Sequence, residues 1–318
     1  MEKIFLTEHI HDDAVAYLKE RFEVVQGTSV EPAEIIRQAQ GCAGILIRSA
    51  KITAEIMDAI PTLKVVAKHG MGVDNIDVAH ATEKGILVVN APYSNMNAVA
   101  EHIVTLLLAL SKRIVRMDKL TRNGGFAQRN TYKTMELKNA TVGIVGMGKI
   151  SRLVVKKLSA FDMHIIASDP FVKQENVGDL PVRMTSAEEV YSASDFVVVH
   201  TSLFPSTFHL VGAEQFRMMK PTAYIINAAR GPIIDEAAMI EALKDGEIAG
   251  AGLDVFEQEP PAEDNPLFDM DNVIVSPHNA ALCDGALRAM AMDSAQGITE
   301  YLTGQAVSYP VNREVLEK

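Results

Sequence analysis

Gly146 and Gly148 stand two residues apart in VGIVGMGKISRLV (142–154), and Ser151 follows three residues later. The stretch reads as a buried strand, a tight turn and the first turns of a helix. Gly146 permits a sharp turn, and Gly148 lets backbone approach an anion closely. A helix opening near Lys149 offers free N–H groups and a positive dipole end to that anion. A third glycine at position 151 would ease packing of helix on strand. Serine is small, but its hydroxymethyl group is expected to tilt the helix slightly. Alone, the pattern reads equally as a strand-to-helix turn with no ligand. Asp169 adds a second signal, since it ends the next predicted strand, HIIASD, 23 residues after Gly146. An acid there accepts hydrogen bonds from adenosine ribose hydroxyls and repels a 2′-phosphate. Together the two point to a dinucleotide, NAD rather than NADP.

The rest of the chain must hold that turn. It has 318 residues, enough for two domains, and 48% are hydrophobic, as in ordinary soluble globular proteins. A formal charge of −11 argues against nucleic acid and anionic membranes as partners. Only Cys42 and Cys283 are present, which makes no disulfide framework and suits a reducing compartment. The start, MEKIFLTEHIHDDA, carries early acids and lacks a signal-peptide core; IVTLLLAL (103–110) is too short to span a bilayer. A cytoplasmic location is expected.

Residues 1–97 alternate β-rich runs (IFLT, GILIRS, LKVVAKH, GILVVNA) with amphipathic stretches (DDAVAYLKERF, EPAEIIRQAQ, TAEIMDAI). Strand–helix alternation implies a parallel sheet covered on both faces. Residues 97–120 break the rhythm as one long helix of roughly six turns, and TRNGGFAQRNTYKTMEL reads as a polar connector. A second alternation begins at 141 with strands at TVGIVG, MHIIASD, DFVVVH, AYIINAA, GAGLDVF and NVIVSPH, and a helix at 235–246. That is the pattern of a doubly wound nucleotide domain. A further helix is predicted over 283–304. The expected fold is α/β with two doubly wound domains: a flavodoxin-like substrate domain (1–97 and 285–318) and a Rossmann NAD-binding domain (98–284). A cleft between them would close around substrate.

The stretches KHGMGVDNID, NAPYSNMNAVAEH, TVGIVGMGKIS, INAARGPIIDEAAMIEALKDGEIAGAGLDVFEQEP and NVIVSPH occur in this order along nearly the whole chain. In these the chain resembles the NAD-dependent D-2-hydroxyacid dehydrogenases, which include phosphoglycerate, hydroxypyruvate and D-lactate dehydrogenases. The resemblance implies a catalytic arginine at Arg230, its acid at Glu259 and its histidine at His278. It implies substrate carboxylate binding by the amides of Gly70, Met71 and Gly72, and cofactor contacts at Lys149, Ile150, Asp169, Thr201, Ala228 and Asp254. A homodimer is implied, with the helix near 97–120 contributing to the contact. Two features depart from the common pattern: Ser151, and Ala280 and Ala281 in HNAA, where many members carry glycines.

These residue types suit the implied chemistry. Oxidising a 2-hydroxy acid removes a hydride from carbon and a proton from oxygen. Histidine titrates in the range needed to accept that proton, and a neighbouring glutamate would orient it and favour its charged form. The arginine fork can grip a carboxylate and polarise the adjacent carbonyl, which a lysine point charge cannot do with that geometry. Each residue taken singly reads as a solvated or structural one; the ordered trio inside the larger match gives them their role. The remaining histidines lack metal-ligand spacing, no metal site is expected, and His102 reads as structural. At LIRSAKIT (46–53), Arg48 and Ser49 face the distal part of the substrate by resemblance. Arg48 and Lys51 could there bind a phosphate or second carboxylate; a small uncharged 2-keto acid remains open. An NAD(H)-sensing protein like the C-terminal-binding-protein corepressors is the alternative from another class. A formate dehydrogenase of this fold is disfavoured by Glu259, where those enzymes carry glutamine.

Overall fold

The computed structural model describes residues 1–317, which divide into two compact units, Met1–Asn95 with the segment from Ala281 onward, and Met96–Ala280. The first unit runs β1 (Lys3–Leu6), α1 (Asp12–Lys19), β2 (Glu23–Gln26), α2 (Pro32–Gln38), β3 (Gly44–Ile47), α3 (Ala54–Asp58), β4 (Val65–Lys68), α4 (Val78–Glu83) and β5 (Leu87–Val89). Its sheet has the order β2-β1-β3-β4-β5 with every neighbour parallel, the flavodoxin-like order. Because successive side chains alternate faces, Phe5, Ile45, Ile47, Val66 and Val88 enter one apolar layer. Ile4, Leu6, Leu46, Val65, Ala67, Leu87 and Val89 enter the other. Burial on both faces is why these strands read as continuous apolar runs. The edge strand β2 escaped the sequence reading because its EVVQ pattern is short and half exposed. The short helix α4 was also not expected.

The second unit opens with α5 (Met96–Ser111) and α6 (Ile114–Arg122). The single helix expected over 97–120 is therefore two. The chain breaks at Arg113, which takes a left-handed conformation (φ 51°). Part of the expected connector is also structured, as a 3-10 helix over Gly125–Thr131. There follow β6 (Thr141–Val145), α7 (Lys149–Leu158), β7 (His164–Ser168), β8 (Arg183–Met184), α8 (Ala187–Ala193), β9 (Phe196–Val199), α9 (Ala213–Met218), β10 (Tyr224–Asn227), α10 (Glu236–Lys244), β11 (Gly250–Leu253) and β12 (Val273–Val275). The parallel order is β12-β11-β10-β9-β6-β7-β8, a Rossmann order extended by one strand. The two-residue β8 was not foreseen. The order reverses between β6 and β9, so their carboxyl ends open a crevice at the turn after Val145. The chain then returns to the first unit as α11 (Asp284–Leu302), whose Ala291, Ala295 and Ile298 pack on that sheet's second apolar layer.

Candidate active site

The crevice of the second unit is built around Gly146. Its φ is 93°, and a Cβ there would lie 2.5 Å from the His200 carbonyl oxygen and 3.1 Å from Thr201 Cβ. Only glycine lets β6 turn this tightly against the end of β9. Gly148 caps α7, and a Cβ on it would meet nothing within 4 Å. The protein's own packing therefore does not require glycine at 148; the position keeps space open beside a helix N-terminus, as a phosphate needs. Ile150 is buried one residue into the helix after Lys149.

Ser151 is fully buried, and its hydroxyl donates to the Gly146 carbonyl at 2.6 Å. The hydroxymethyl group expected to disturb the helix instead satisfies a carbonyl that the turn leaves without a ladder partner. Asp169 follows β7 directly. Its Oδ2 accepts from the Met147 amide at 2.7 Å and its Oδ1 from the Phe171 amide at 2.8 Å. The carboxylate is thus fixed against the glycine turn, and each oxygen keeps acceptor capacity for a sugar hydroxyl. His200, on the far side of the turn, has a buried Nδ1 with no hydrogen-bond partner. Burial, reinforced by the Arg230 charge, pushes its pKa down to about 4, so it is a neutral group at pH 7. The open glycine, the aimed helix end and the orphaned nitrogen fit a dinucleotide in this crevice.

Further along the same sheet edge, the chemistry-bearing side chains converge. Arg230 lies three residues past β10. The next residue, Gly231, passes so close to another backbone segment that a Cβ would sit 1.8 Å from the Phe256 carbonyl oxygen. That contact brings the arginine to the loop that carries Glu259. Arg230 Nη1 donates to the Ala229 carbonyl at 2.7 Å, and Asn227 Nδ2 holds the Arg230 carbonyl at 2.9 Å. Ala228, between them in sequence, is buried.

Glu259 Oε2 lies 2.7 Å from His278 Nδ1, while Oε1 accepts from the Phe256 amide at 3.1 Å. Burial works to raise the Glu259 pKa and is outweighed. The His278 hydrogen bond and charge, the Phe256 amide and the Arg230 charge leave it below the usual carboxylate range. With Nδ1 bonded to a carboxylate, Nε2 is the nitrogen available for proton exchange. His278 is half exposed and has φ 50°, a left-handed conformation costing a non-glycine residue about 1 kcal/mol. Its loop imposes this. Asp254, almost wholly buried after β11, accepts from the Asn279 and Ala280 amides, each at 2.9 Å, and from Ser276 Oγ at 2.6 Å. The Ala280 methyl faces the interior, and its amide is held by the same carboxylate. His102 Nε2, on α5, reaches Ser276 Oγ at 2.9 Å. Sequence reasoning assigned Asp254 to the cofactor and missed its hold on the His278 loop, together with Ser276 and His102. Only the tertiary fold brings residue 102 to residue 276.

In the first unit, the loops after β3 and β4 carry the remaining predicted residues. The turn at 48–50 is held from both sides. Glu8 accepts from the Arg48 and Ser49 amides at 2.9 Å each and from Ser49 Oγ at 2.5 Å. Asn75 Nδ2 and the Lys68 ammonium hold the Arg48 carbonyl. The Ser49 hydroxyl predicted for substrate is thus committed to Glu8, and Arg48 Nη1 donates to the His9 carbonyl at 3.1 Å. Lys51 is exposed. The 70–72 loop is different. The Gly70 carbonyl accepts from the Ala91 amide and the Met71 carbonyl from Asn90 Nδ2, but the Gly70, Met71 and Gly72 amides meet no protein acceptor among the described residues. Among the described residues no cluster of His, Cys, Asp and Glu could hold a metal ion, and no helix is long and apolar enough to cross a membrane.

Residues 104–280 match the model of the D-isomer specific 2-hydroxyacid dehydrogenase NAD binding domain. Over its whole length the chain is similar to the D-3-phosphoglycerate dehydrogenase of Methanocaldococcus jannaschii, 40% identical over 98% of this chain and 60% of that protein. It therefore spans only about three-fifths of that relative. The glyoxylate reductase of Thermofilum pendens is 39% identical over 99% of this chain and 96% of its own. Among solved structures, an NADPH-dependent glyoxylate/hydroxypyruvate reductase from Sinorhizobium meliloti superposes with a TM-score of 0.88 at 28% identity, covering 99% of both chains. These relatives are dehydrogenases and reductases, which does not favour the sensor alternative. The dinucleotide crevice, the ordered Arg230, Glu259 and His278, and the match across the second unit agree: the chain belongs to the D-isomer specific 2-hydroxyacid dehydrogenase family, and its second unit carries that family's NAD-binding domain.

Proposed function

We propose that the protein transfers a hydride between NAD(H) and a small D-2-hydroxy acid or its 2-keto acid, in the cytoplasm and as a homodimer. The observation that carries this reading is the 2.7 Å pair of His278 and Glu259, with the Arg230 charge acting on the same carboxylate. When bound, NAD supplies the ring that takes the hydride from the substrate carbon. His278 Nε2 accepts the hydroxyl proton in oxidation and returns it to the carbonyl oxygen in reduction. Glu259 holds Nδ1–H, fixing the ring and stabilising the imidazolium. Arg230 grips the substrate carboxylate and polarises the adjacent carbonyl.

By the family resemblance, the unspent amides of Gly70, Met71 and Gly72 are assigned to substrate binding. Gly146, Gly148, Lys149 and Ile150 would hold the pyrophosphate, Asp169 the adenosine ribose, and Thr201, Ala228 and Asp254 the nicotinamide half. Asp169 favours NAD over NADP by repelling a 2′-phosphate. The glyoxylate reductase that matches end to end supports a short keto acid. The dimer contact is assigned to the region of α5 and α6, where Ile114 and Val115 at the start of α6 are exposed. The test is NADH consumption against glyoxylate, hydroxypyruvate, pyruvate, a branched-chain keto acid and 3-phosphohydroxypyruvate. Turnover of one supports the reading; tight NADH binding with no turnover of any counts against it.

A further inference from the structure

His102, Ser276 and Asp254 form a directed chain. Both Asp254 oxygens accept from backbone amides, Oδ1 from Asn279 and Oδ2 from Ala280, and Ser276 Oγ, 2.6 Å away, donates its single proton to Oδ1. The serine oxygen then has only lone pairs to offer His102 Nε2 at 2.9 Å, and the imidazole must donate. His102 Nε2 is also 3.5 Å from Asp254 Oδ1. Below this chain, Asp254 gathers the Asn279 and Ala280 amides, and its main-chain carbonyl accepts from the His278 amide at 2.8 Å. The Ser276 amide is tied to the Leu253 carbonyl at 2.8 Å. The His278 amide also reaches the Ser276 carbonyl at 3.1 Å within the loop; the loop's other backbone ties run to the end of β11, and the carboxylate at their centre is oriented from α5.

We propose that His102 is a positioning residue for the reaction: through Ser276 and Asp254 it holds the loop that keeps His278 in its left-handed conformation. The word reaction rests on the function proposed above; the hold on Asp254 does not. His102 touches none of the reacting atoms. Its donated hydrogen bond stops Ser276 from turning to the Leu253 carbonyl, which lies 3.4 Å from Oγ, and so keeps the Ser276 proton on Asp254.

The test compares His102→Leu, which fills the space without a donor, with His102→Gln, whose amide can donate from a similar reach, and with Ser276→Ala. Thermal melting first identifies variants that fold. NADH affinity is read by fluorescence, and kcat and KM with the best keto acid of the panel. In His102→Leu, kcat is expected to fall about tenfold and NADH binding to weaken severalfold with little change in keto-acid KM. His102→Gln should recover most of both losses. The double variant His102→Leu/Ser276→Ala should be no worse than Ser276→Ala alone, since both act on one chain. Wild-type kcat and NADH affinity in folded His102→Leu would overturn the proposal, as would a glutamine variant no better than leucine or fully additive losses. If no keto acid is turned over, the function proposed above has failed, and the NADH-affinity comparison still decides the role of His102.

Discussion

Glu8 in the first unit and Glu259 in the second are alike on the surface. Each is a glutamate in the loop that follows a strand, Glu8 after β1 and Glu259 after β11, and each has a lowered pKa. In both, burial works to raise the pKa and is overcome by donors. The donors differ. Glu8 is brought to about 2 by Ser49 through its hydroxyl and amide, the Arg48 amide and the Thr7 hydroxyl. None of those groups titrates near neutrality, so the carboxylate is a fixed staple of the 48–50 turn. Glu259 has one amide, and its strongest lowering partner is His278, whose proton can leave. A depressed carboxylate pKa thus marks a static clasp in one unit and, under the function proposed above, proton-transfer machinery in the other, and the chemistry of the donor tells them apart.

Between the two glutamates, the larger expected effect is on activity. Glu259→Gln should lower kcat for keto-acid reduction about 100-fold, by removing the charge that stabilises the protonated histidine. Its alkaline limb in a pH–rate profile should move to lower pH, with the melting temperature nearly unchanged. Glu8→Gln should do the reverse, with NADH affinity unaltered and stability reduced by about 1–2 kcal/mol after allowance for solvent screening. The sign follows from a folded pKa below the ordinary 4.5: the contribution is complete above that pH and is lost as pH falls toward about 2. Denaturant titrations of wild type and Glu8→Gln should therefore differ at pH 7 and converge in that acid window. The smallest effect is expected from Ser49→Ala. It removes one of the Glu8 donors and should cost less than about 1 kcal/mol, leaving keto-acid KM within about threefold. A large KM change there would mean that Ser49 meets substrate rather than serving Glu8.

Much of this was legible in the sequence, for identifiable reasons. The doubly wound sheets announce themselves because strands buried on both faces must be apolar throughout, as in VGIV and FVVV. The glycine turn and Asp169 are readable because their spacing is fixed by one strand–helix–strand unit. What escaped depends on tertiary approach or on chemistry without a local signal. Glu8 meets Arg48 across 40 residues, and His102 meets Ser276 across 174. The edge strands β2 and β8 are short and partly exposed, so their hydropathy does not alternate cleanly. The break between α5 and α6 falls at Arg113 with neither proline nor glycine to mark it. Ser151 looked like a defect in a glycine motif, because nothing in the sequence shows that its hydroxyl meets the Gly146 carbonyl.

The most direct test of the central claim, that His278 paired with Glu259 moves the substrate proton, is His278→Ala measured for both turnover and cofactor binding. Keto-acid reduction should fall about 1000-fold in kcat, while NADH affinity stays within about threefold of wild type. A His278→Ala enzyme that keeps turnover within about tenfold of wild type would contradict the account, since some other group would then be supplying the proton.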